Sequence, residues 1–158
     1  MGIWSNWYSQ IGRTTPEPMR TAVFPSRYVQ GRGALGRLAD ECAPFADSVF
    51  CLADETLPDG VVGRIGGTGA TISLAPTKPQ CTEAAVAETV LRVRETESDA
   101  IAALGGGKII DLGRAAADDA GLPFVSVPTV AASDAPCSAL AVIYDNDGRV
   151  VRDRFVRA

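Results

Sequence analysis

The strongest chemical signal in the chain is Gly105-Gly106-Gly107-Lys108-Ile109-Ile110-Asp111, set between an apolar run at residues 100–104 and a helix-like run at residues 112–120. An apolar run that feeds three glycines and then a helix reads as a strand-loop-helix junction. The first-turn N–H groups of such a helix have no intrahelical partner and carry the positive end of the helix dipole, so the junction can bind an anion. Glycine lets the backbone approach a phosphate closely, and Lys108 adds a full charge. The same glycines also suit a tight strand-to-helix turn with no ligand, and the residues alone leave both readings open. The pattern is neither the dinucleotide fingerprint G-x-G-x-x-G nor the P-loop.

Two further places could carry chemistry. Residues 48–53 (S-V-F-C-L-A) form a compact apolar run that ends at Asp54, as a buried parallel strand would before emerging at its carboxyl edge. An acidic residue there can accept hydrogen bonds from ribose hydroxyls, and its charge disfavours a 2′-phosphate, which favours NAD over NADP. The competing reading of Asp54 is a solvated loop residue or helix cap. Val127-Pro128-Thr129 ends a later strand and leads into V-A-A-S-D-A-P-C-S at residues 130–138, a polar loop of small side chains with room for a ligand. Its Asp134 could shape the loop as an Asx-turn.

Other features are less informative chemically. Residues 60–69 (G-V-V-G-R-I-G-G-T-G) resemble a phosphate loop, but Ile72 stands where the dinucleotide pattern needs glycine, so a short poor helix and a turn are expected. Cys42, Cys51, Cys81 and Cys137 are too widely spaced for a C-x-x-C pair, and the chain has no histidine. They read as free cytosolic thiols. Arg149, Arg152, Arg154 and Arg157 form a basic tip, expected to be a solvated hairpin face rather than an anion site.

The elements that must position these residues follow from periodicity. Leu35, Leu38, Ala39 and Cys42 recur at helical spacing within residues 33–45. A strand is expected at residues 70–75. Thr82 caps a helix reaching about Glu97, with Ala85, Val86, Thr89, Val90 and Val93 as its buried stripe. The strand at residues 100–104 and the helix at residues 112–120 follow, with Gly121-Leu122-Pro123 as the stop, and then a strand at residues 124–127. Alternation of strand and helix implies an α/β fold with a Rossmann-like, mostly parallel sheet and flanking helices. Residues 139–144 and 150–156 read as a C-terminal β-hairpin around Asp145-Asn146-Asp147-Gly148. Residues 21–24 and 27–30 resemble short extended pieces. Residues 1–18, with Trp4, Trp7, Tyr8 and the Pro16-Glu17-Pro18 break, are expected to be an extension outside the fold, leaving residues 19–158 as one domain.

At 158 residues and 46% apolar content the chain can bury a sizeable core. A net charge of −4 gives no global positive field to recruit nucleic acid. No apolar stretch reaches the roughly 18 residues of a membrane span. The expectation is a cytoplasmic protein with no nucleic-acid or membrane partner.

The triglycine stretch and residues 127–144 (V-P-T-V-A-A-S-D-A-P-C-S-A-L-A-V-I-Y) together resemble the N-terminal domain of glycerol dehydrogenases, in the iron-containing alcohol dehydrogenase and dehydroquinate synthase superfamily. Pro25-Ser26-Arg27-Tyr28-Val29-Gln30-Gly31 is similar to the family's opening segment. The resemblance implies that Gly106, Gly107 and Lys108 line the NAD pyrophosphate, that Asp111 starts a helix at the cofactor, and that Asp54 takes the adenosine ribose. It also places Thr129, Ala132, Ser138, Leu140 and Tyr144 along the cofactor cleft and Asp134 against a glycerol-like polyol. The family reaction oxidises glycerol to dihydroxyacetone with NAD and a divalent metal, usually zinc, held by an aspartate and two histidines of a helical C-terminal domain. That domain and its ligands are absent here, so the resemblance implies a truncated NAD-binding domain, inactive alone, with a complementing C-terminal half or a second copy as partner. The alternatives are a stand-alone nucleotide-binding or interaction module, and a piece of a related alcohol or glycerol-1-phosphate dehydrogenase.

Overall fold

In the computed structural model of the protein, residues 27–131 and 134–156 are described. The expected extension at residues 1–18, the extended piece at 21–24, Ala132 and Arg157 lie outside them. Four strands, β1 (Ser48–Asp54), β2 (Thr71–Thr77), β3 (Ala100–Gly105) and β4 (Phe124–Pro128), pair in parallel in the order β2-β1-β3-β4. The central pair is buried on both faces, which is why β1 and β3 read as unbroken apolar runs rather than alternating ones. Pro76 falls in β2, an edge strand, where a sheet tolerates proline.

Alternate side chains of the central strands feed two cores. Val49, Cys51, Ala53, Ala102 and Leu104 pack with α1 (Leu38–Cys42) on one face. Phe50, Leu52, Ile101 and Ala103 pack on the other face with α3 (Glu83–Glu95) and α4 (Gly107–Ala120). The expected stripe of α3 is its observed buried face, and the Thr82 hydroxyl accepts the Ala85 N–H at 3.1 Å.

The first helix is shorter than its apolar spacing suggests. A 3-10 turn, Ala34–Arg37, precedes α1 because Arg37 leaves helical backbone angles (φ −115°, ψ 8°). Residues 27–30 form no strand. The glycine-rich segment holds one helical turn, α2 (Asp59–Val62), and is otherwise packed against α1: a Cβ on Gly69 would stand 2.6 Å from that of Ala43. Asp40 Oδ1 accepts the N–H groups of Thr68 and Gly69 at 2.8 and 3.2 Å. The expected short helix and turn are observed, and Gly66, Gly67 and Gly69 also serve a close packing that the sequence did not show.

Helix α4 begins five residues before the position expected from helix-forming composition. Gly106 is extended (φ −82°, ψ −176°), and its carbonyl accepts the N–H groups of Ile109 and Ile110, both at 3.1 Å. Low helix propensity at Gly107 is overridden by burial of Ile109, Ile110 and Leu112, each at most 1% exposed. The helix stops at Gly121, whose φ of 69° is left-handed, with the Leu122 N–H returning to the Ala117 carbonyl at 2.9 Å.

Strands β5 (Leu140–Tyr144) and β6 (Val150–Phe155) form the antiparallel hairpin, with Asp145 Oδ1 accepting the Asp147 and Arg149 N–H groups across its turn. The hairpin lies on the α3/α4 side, where Ala141, Ile143 and Val156 join the core. Of its described arginines, Arg154 departs from the expected solvated face. Arg154 is largely buried and binds Asp118 at 2.7 Å and Asp119 at 2.5 Å, and Arg152 binds Glu83 at 2.5 Å. These acids come from the first turn of α3 and the end of α4, a meeting that only the folded chain creates. Arg149 and Arg152 keep the expected exposure, Arg149 lying 3.7 Å from Asp147.

Gly113 sets how closely α4 lies on the sheet, since a Cβ there would stand 2.8 Å from Ala103 Cβ and 2.9 Å from Phe124 Cε2. Gly113→Ala is therefore expected to destabilise by about 1–3 kcal/mol through overpacking, although the substitution alone would favour a helix by about 1 kcal/mol. Urea unfolding measures it, and a neutral or stabilised variant would mean that α4 can lift from the sheet without cost.

Candidate functional site

The chain leaves β1 toward β2 on one side of the sheet and leaves β3 toward β4 on the other. Adjacent strands whose connections diverge open a crevice beyond their carboxyl ends, the usual ligand site of an open parallel sheet. Here that row is Thr77, Asp54, Gly105 and Pro128. The Thr129 N–H donates to the Gly105 carbonyl at 3.1 Å and holds the exit of β4 beside the triglycine turn. A Cβ on Gly105 would stand 3.1 Å from Asp54 Cβ and 2.8 Å from that of Ile109, so this first glycine is a packing requirement. Gly106 differs, because a Cβ there would meet nothing within 4 Å. With the Gly106 carbonyl occupied by Ile109 and Ile110, the N–H groups of Gly107 and Lys108 are left as the open donors of the first turn among the described residues.

Asp54 stands at the end of β1, half-buried, with Oδ1 accepting the Thr56 N–H at 2.9 Å and its hydroxyl at 2.7 Å. Those bonds fix the carboxylate and engage one of its two oxygens. Lys108 is exposed on the first turn of α4, and its ammonium lies 5.0 Å from the centroid of the Tyr144 ring. The contact brings the end of β5 to the start of α4.

Lys108, Asp111 and Arg114 recur every three residues and share one stripe of α4, and β5 runs back along it. Arg114 donates to the Leu140 carbonyl at 2.9 Å and Asp111 accepts the Val142 N–H. Asp111 is 6% exposed, with Arg114 Nη1 3.3 Å from its Oδ1. Burial pushes the Asp111 carboxyl above its ordinary value, the Val142 N–H and Arg114 pull it back, and the Asp134 charge adds to the rise. Burial also raises the Tyr144 phenol, with Asp111 contributing. The Asp111 carboxylate is thus inside, beneath β5, while its helix begins at the crevice.

Arg114 also donates to the Ala135 carbonyl and lies 5.3 Å over the Phe124 ring. The Asp134 carbonyl accepts the Cys137 and Ser138 N–H groups, both at 2.9 Å, and Ser138 Oγ accepts the Leu140 N–H at 3.0 Å. The turn therefore closes through the Asp134 main chain, not its side chain. The exposed carboxylate makes no hydrogen bond among the described residues.

The structure thus gathers Asp54, Gly106, Gly107, Lys108, Thr129 and Tyr144 around one edge of the sheet. Ser138 and Leu140 are engaged in the loop and with Arg114. The sequence reading missed Arg114 and Thr56. A three-residue spacing of Lys, Asp and Arg on one helix face was the available signal for the first. An apolar hollow of about 350 Å³, lined by Ala39, Val62, Ile65, Ile72 and Leu74 among others, lies away from this edge and carries no titratable side chain. Among the described residues no group of three or more His, Cys, Asp or Glu side chains could hold a metal ion. Among them, too, no helix is long and apolar enough to cross a membrane.

Comparison with known proteins gives a consistent result. The profile of iron-containing alcohol dehydrogenases matches residues 25–156. A glycerol dehydrogenase of Thermotoga maritima is 35% identical over 139 residues, which are 86% of this chain and 38% of that enzyme. One from Pseudomonas putida is 33% identical, over 87% of this chain and 38% of its own length. The crystal structure of a probable glycerol dehydrogenase from Sinorhizobium meliloti superposes with a TM-score of 0.81 at 31% identity, covering 87% of this chain and 38% of that one. The chain spans a little over a third of the length of these relatives.

A carboxyl whose folded pKa is raised holds its proton more tightly in the native state, so its contribution to stability is present below the unfolded value and lost as pH rises through the folded one. For Asp111 the window opens at the ordinary 3.8 and runs upward. The unfolding free energy of the wild type minus that of Asp111→Asn is expected to fall with rising pH across this window and then level off. A difference that rises instead would mean that the Arg114 and Val142 contacts outweigh burial.

Proposed function

The chain belongs to the iron-containing alcohol dehydrogenase family, and from that premise we propose that it is the NAD-binding portion of a glycerol dehydrogenase-like oxidoreductase. The observation that carries the proposal is the open space at Gly106, at the point where the strand order diverges and two first-turn N–H groups are unengaged. A pyrophosphate fits there because the backbone can approach it with no Cβ in the way, with the helix dipole and the Lys108 ammonium supplying positive charge. The Asp54 oxygen not engaged by Thr56 would accept from the adenosine ribose. Thr129, Ala132, Ser138, Leu140 and Tyr144 would line the remainder of the cleft, and Asp111 would hold the helix start beneath it.

Bound there, NAD would supply the acceptor for a hydride from a secondary alcohol. Asp134 is the group we assign to a polyol such as glycerol: its carboxylate is exposed and not consumed by its own turn, and a carboxylate accepts hydrogen bonds from vicinal hydroxyls. The divalent metal of the family, zinc or another, does not fit the residues described, and the sequence has no histidine. The metal-assisted part of the reaction is therefore assigned to residues outside these 158, in a continuation of the chain or a complementing polypeptide, with assembly into homo-oligomers a further expectation, in the cytoplasm.

Titration of NADH by its fluorescence tests the cofactor site. Gly106→Ala is expected to leave unfolding unchanged, since its Cβ meets nothing, and to weaken NADH by about tenfold or more as the methyl meets the phosphate. Lys108→Ala is expected to weaken it about 3- to 10-fold, and less at high salt. Undiminished affinity in Gly106→Ala would reduce the turn to a structural one. With zinc added, glycerol-dependent NADH formation is expected only in the presence of a polypeptide supplying the metal ligands, and turnover by this chain alone would overturn that assignment.

A further inference from the structure

The Asp134–Leu140 segment has no secondary structure until β5 begins at its end, yet two of its carbonyls converge on a single buried side chain. Arg114 is 5% exposed, and its two terminal nitrogens serve different places: Nη1 donates to the Leu140 carbonyl at 2.9 Å, and Nη2 to the Ala135 carbonyl. The guanidinium is held from its other sides by the Asp111 carboxylate and the Phe124 ring. It thus bridges both ends of the segment that carries Asp134 to the helix whose first turn is the cofactor turn, two turns away along α4. The titratable groups acting on it are Asp111 from its own helix and Asp134 and Cys137 from the segment itself, each favouring the charged guanidinium.

We infer that Arg114 is a positioning residue: it fixes where Asp134 stands relative to the triglycine turn, by clamping the main chain at Ala135, next to that aspartate, and again at Leu140, where β5 begins. The inference rests on the proposed role of Asp134, but the clamp can be tested independently of it. Arginine is needed rather than lysine because the two carbonyls are met by two different nitrogens of a planar fork, whereas the three donors of an ammonium all radiate from one nitrogen.

Cys137 provides the reporter. It is the exposed cysteine of the described set, while Cys42, Cys51 and Cys81 are buried, with burial pushing the Cys51 and Cys81 thiols up to about 12. A nitroxide attached to Cys137 reads the mobility of the segment, and hydrogen exchange reads the Cys137 and Ser138 N–H groups bonded to the Asp134 carbonyl. In Arg114→Lys the nitroxide is expected to become mobile and the two amides to lose protection by about tenfold. Circular dichroism and protection within α4 are expected to stay within about twofold, a separation that a merely structural role would not give. An unchanged lineshape with unchanged protection would overturn the inference, as would equal loss of protection in the segment and throughout the sheet. Should Arg114→Lys fail to fold, native-state exchange of the wild type decides: the Cys137 and Ser138 amides must open together with the α4 amides around residue 114, and independent opening would overturn it. Absence of NADH binding by the wild type would defeat the cofactor reading while leaving this result to stand or fall on the nitroxide and exchange data.

Discussion

A guanidinium retains its charge at any ordinary pH, so an arginine in a protein interior must be given acceptors or be expelled. Arg114 has them: a carboxylate one helical turn back on its own helix, and two main-chain carbonyls from a distant part of the chain. Removing any of these partners would leave polar groups buried without compensation, and breaking a buried charged pair typically costs about 3–5 kcal/mol. The consequence is geometric. Once α4 is seated on the sheet, the course of residues 135–140 is constrained, because their carbonyls are part of what makes the buried charge tolerable.

The seating of α4 depends in turn on small residues. Gly113 against Ala103 and Phe124, and Gly105 against Ile109 and Asp54, bring the helix down onto β3 until its first turn stands directly over the strand end. Gly106 has a different function in the same run, because no neighbour occupies the space beside it. Three consecutive glycines therefore divide between packing, which closes the helix onto the sheet, and clearance, which leaves an approach to the backbone N–H groups. The ligand edge arises from both together. Without the close seating the donors would be misplaced, and without the clearance they would be covered.

The hairpin is the third part of the arrangement. Its strand β5 lies along the Lys108-Asp111-Arg114 stripe, and its arginines meet the acids at the start of α3 and the end of α4. The exposed Arg152–Glu83 pair contributes little, about 0–1 kcal/mol, and Ala141, Ile143 and Val156 supply apolar adhesion while the charges select the orientation. The Tyr144 ring is thereby delivered to Lys108, and an aromatic residue from a separate sheet becomes a wall of the candidate cofactor site.

Local sequence determined the parts whose causes are local. Apolar runs gave β1 and β3, a threonine and a five-residue stripe gave α3, Gly121 gave the end of α4, and the glycine-rich segment at residues 60–69 was legible as a short helix and a turn. The resemblance carried by the triglycine stretch and residues 127–144 gave the family. The start of α4 was not legible, because glycine argues against helix until one sees that Ile109 and Ile110 are buried and the Gly106 carbonyl is their acceptor. Nor were the places of the hairpin arginines and of Arg114, since Glu83 lies 69 residues from Arg152 along the chain and Ala135 lies 21 from Arg114. Charge pairing and burial are properties of distance in space, and only the packing of hairpin, helix and sheet brings those residues together.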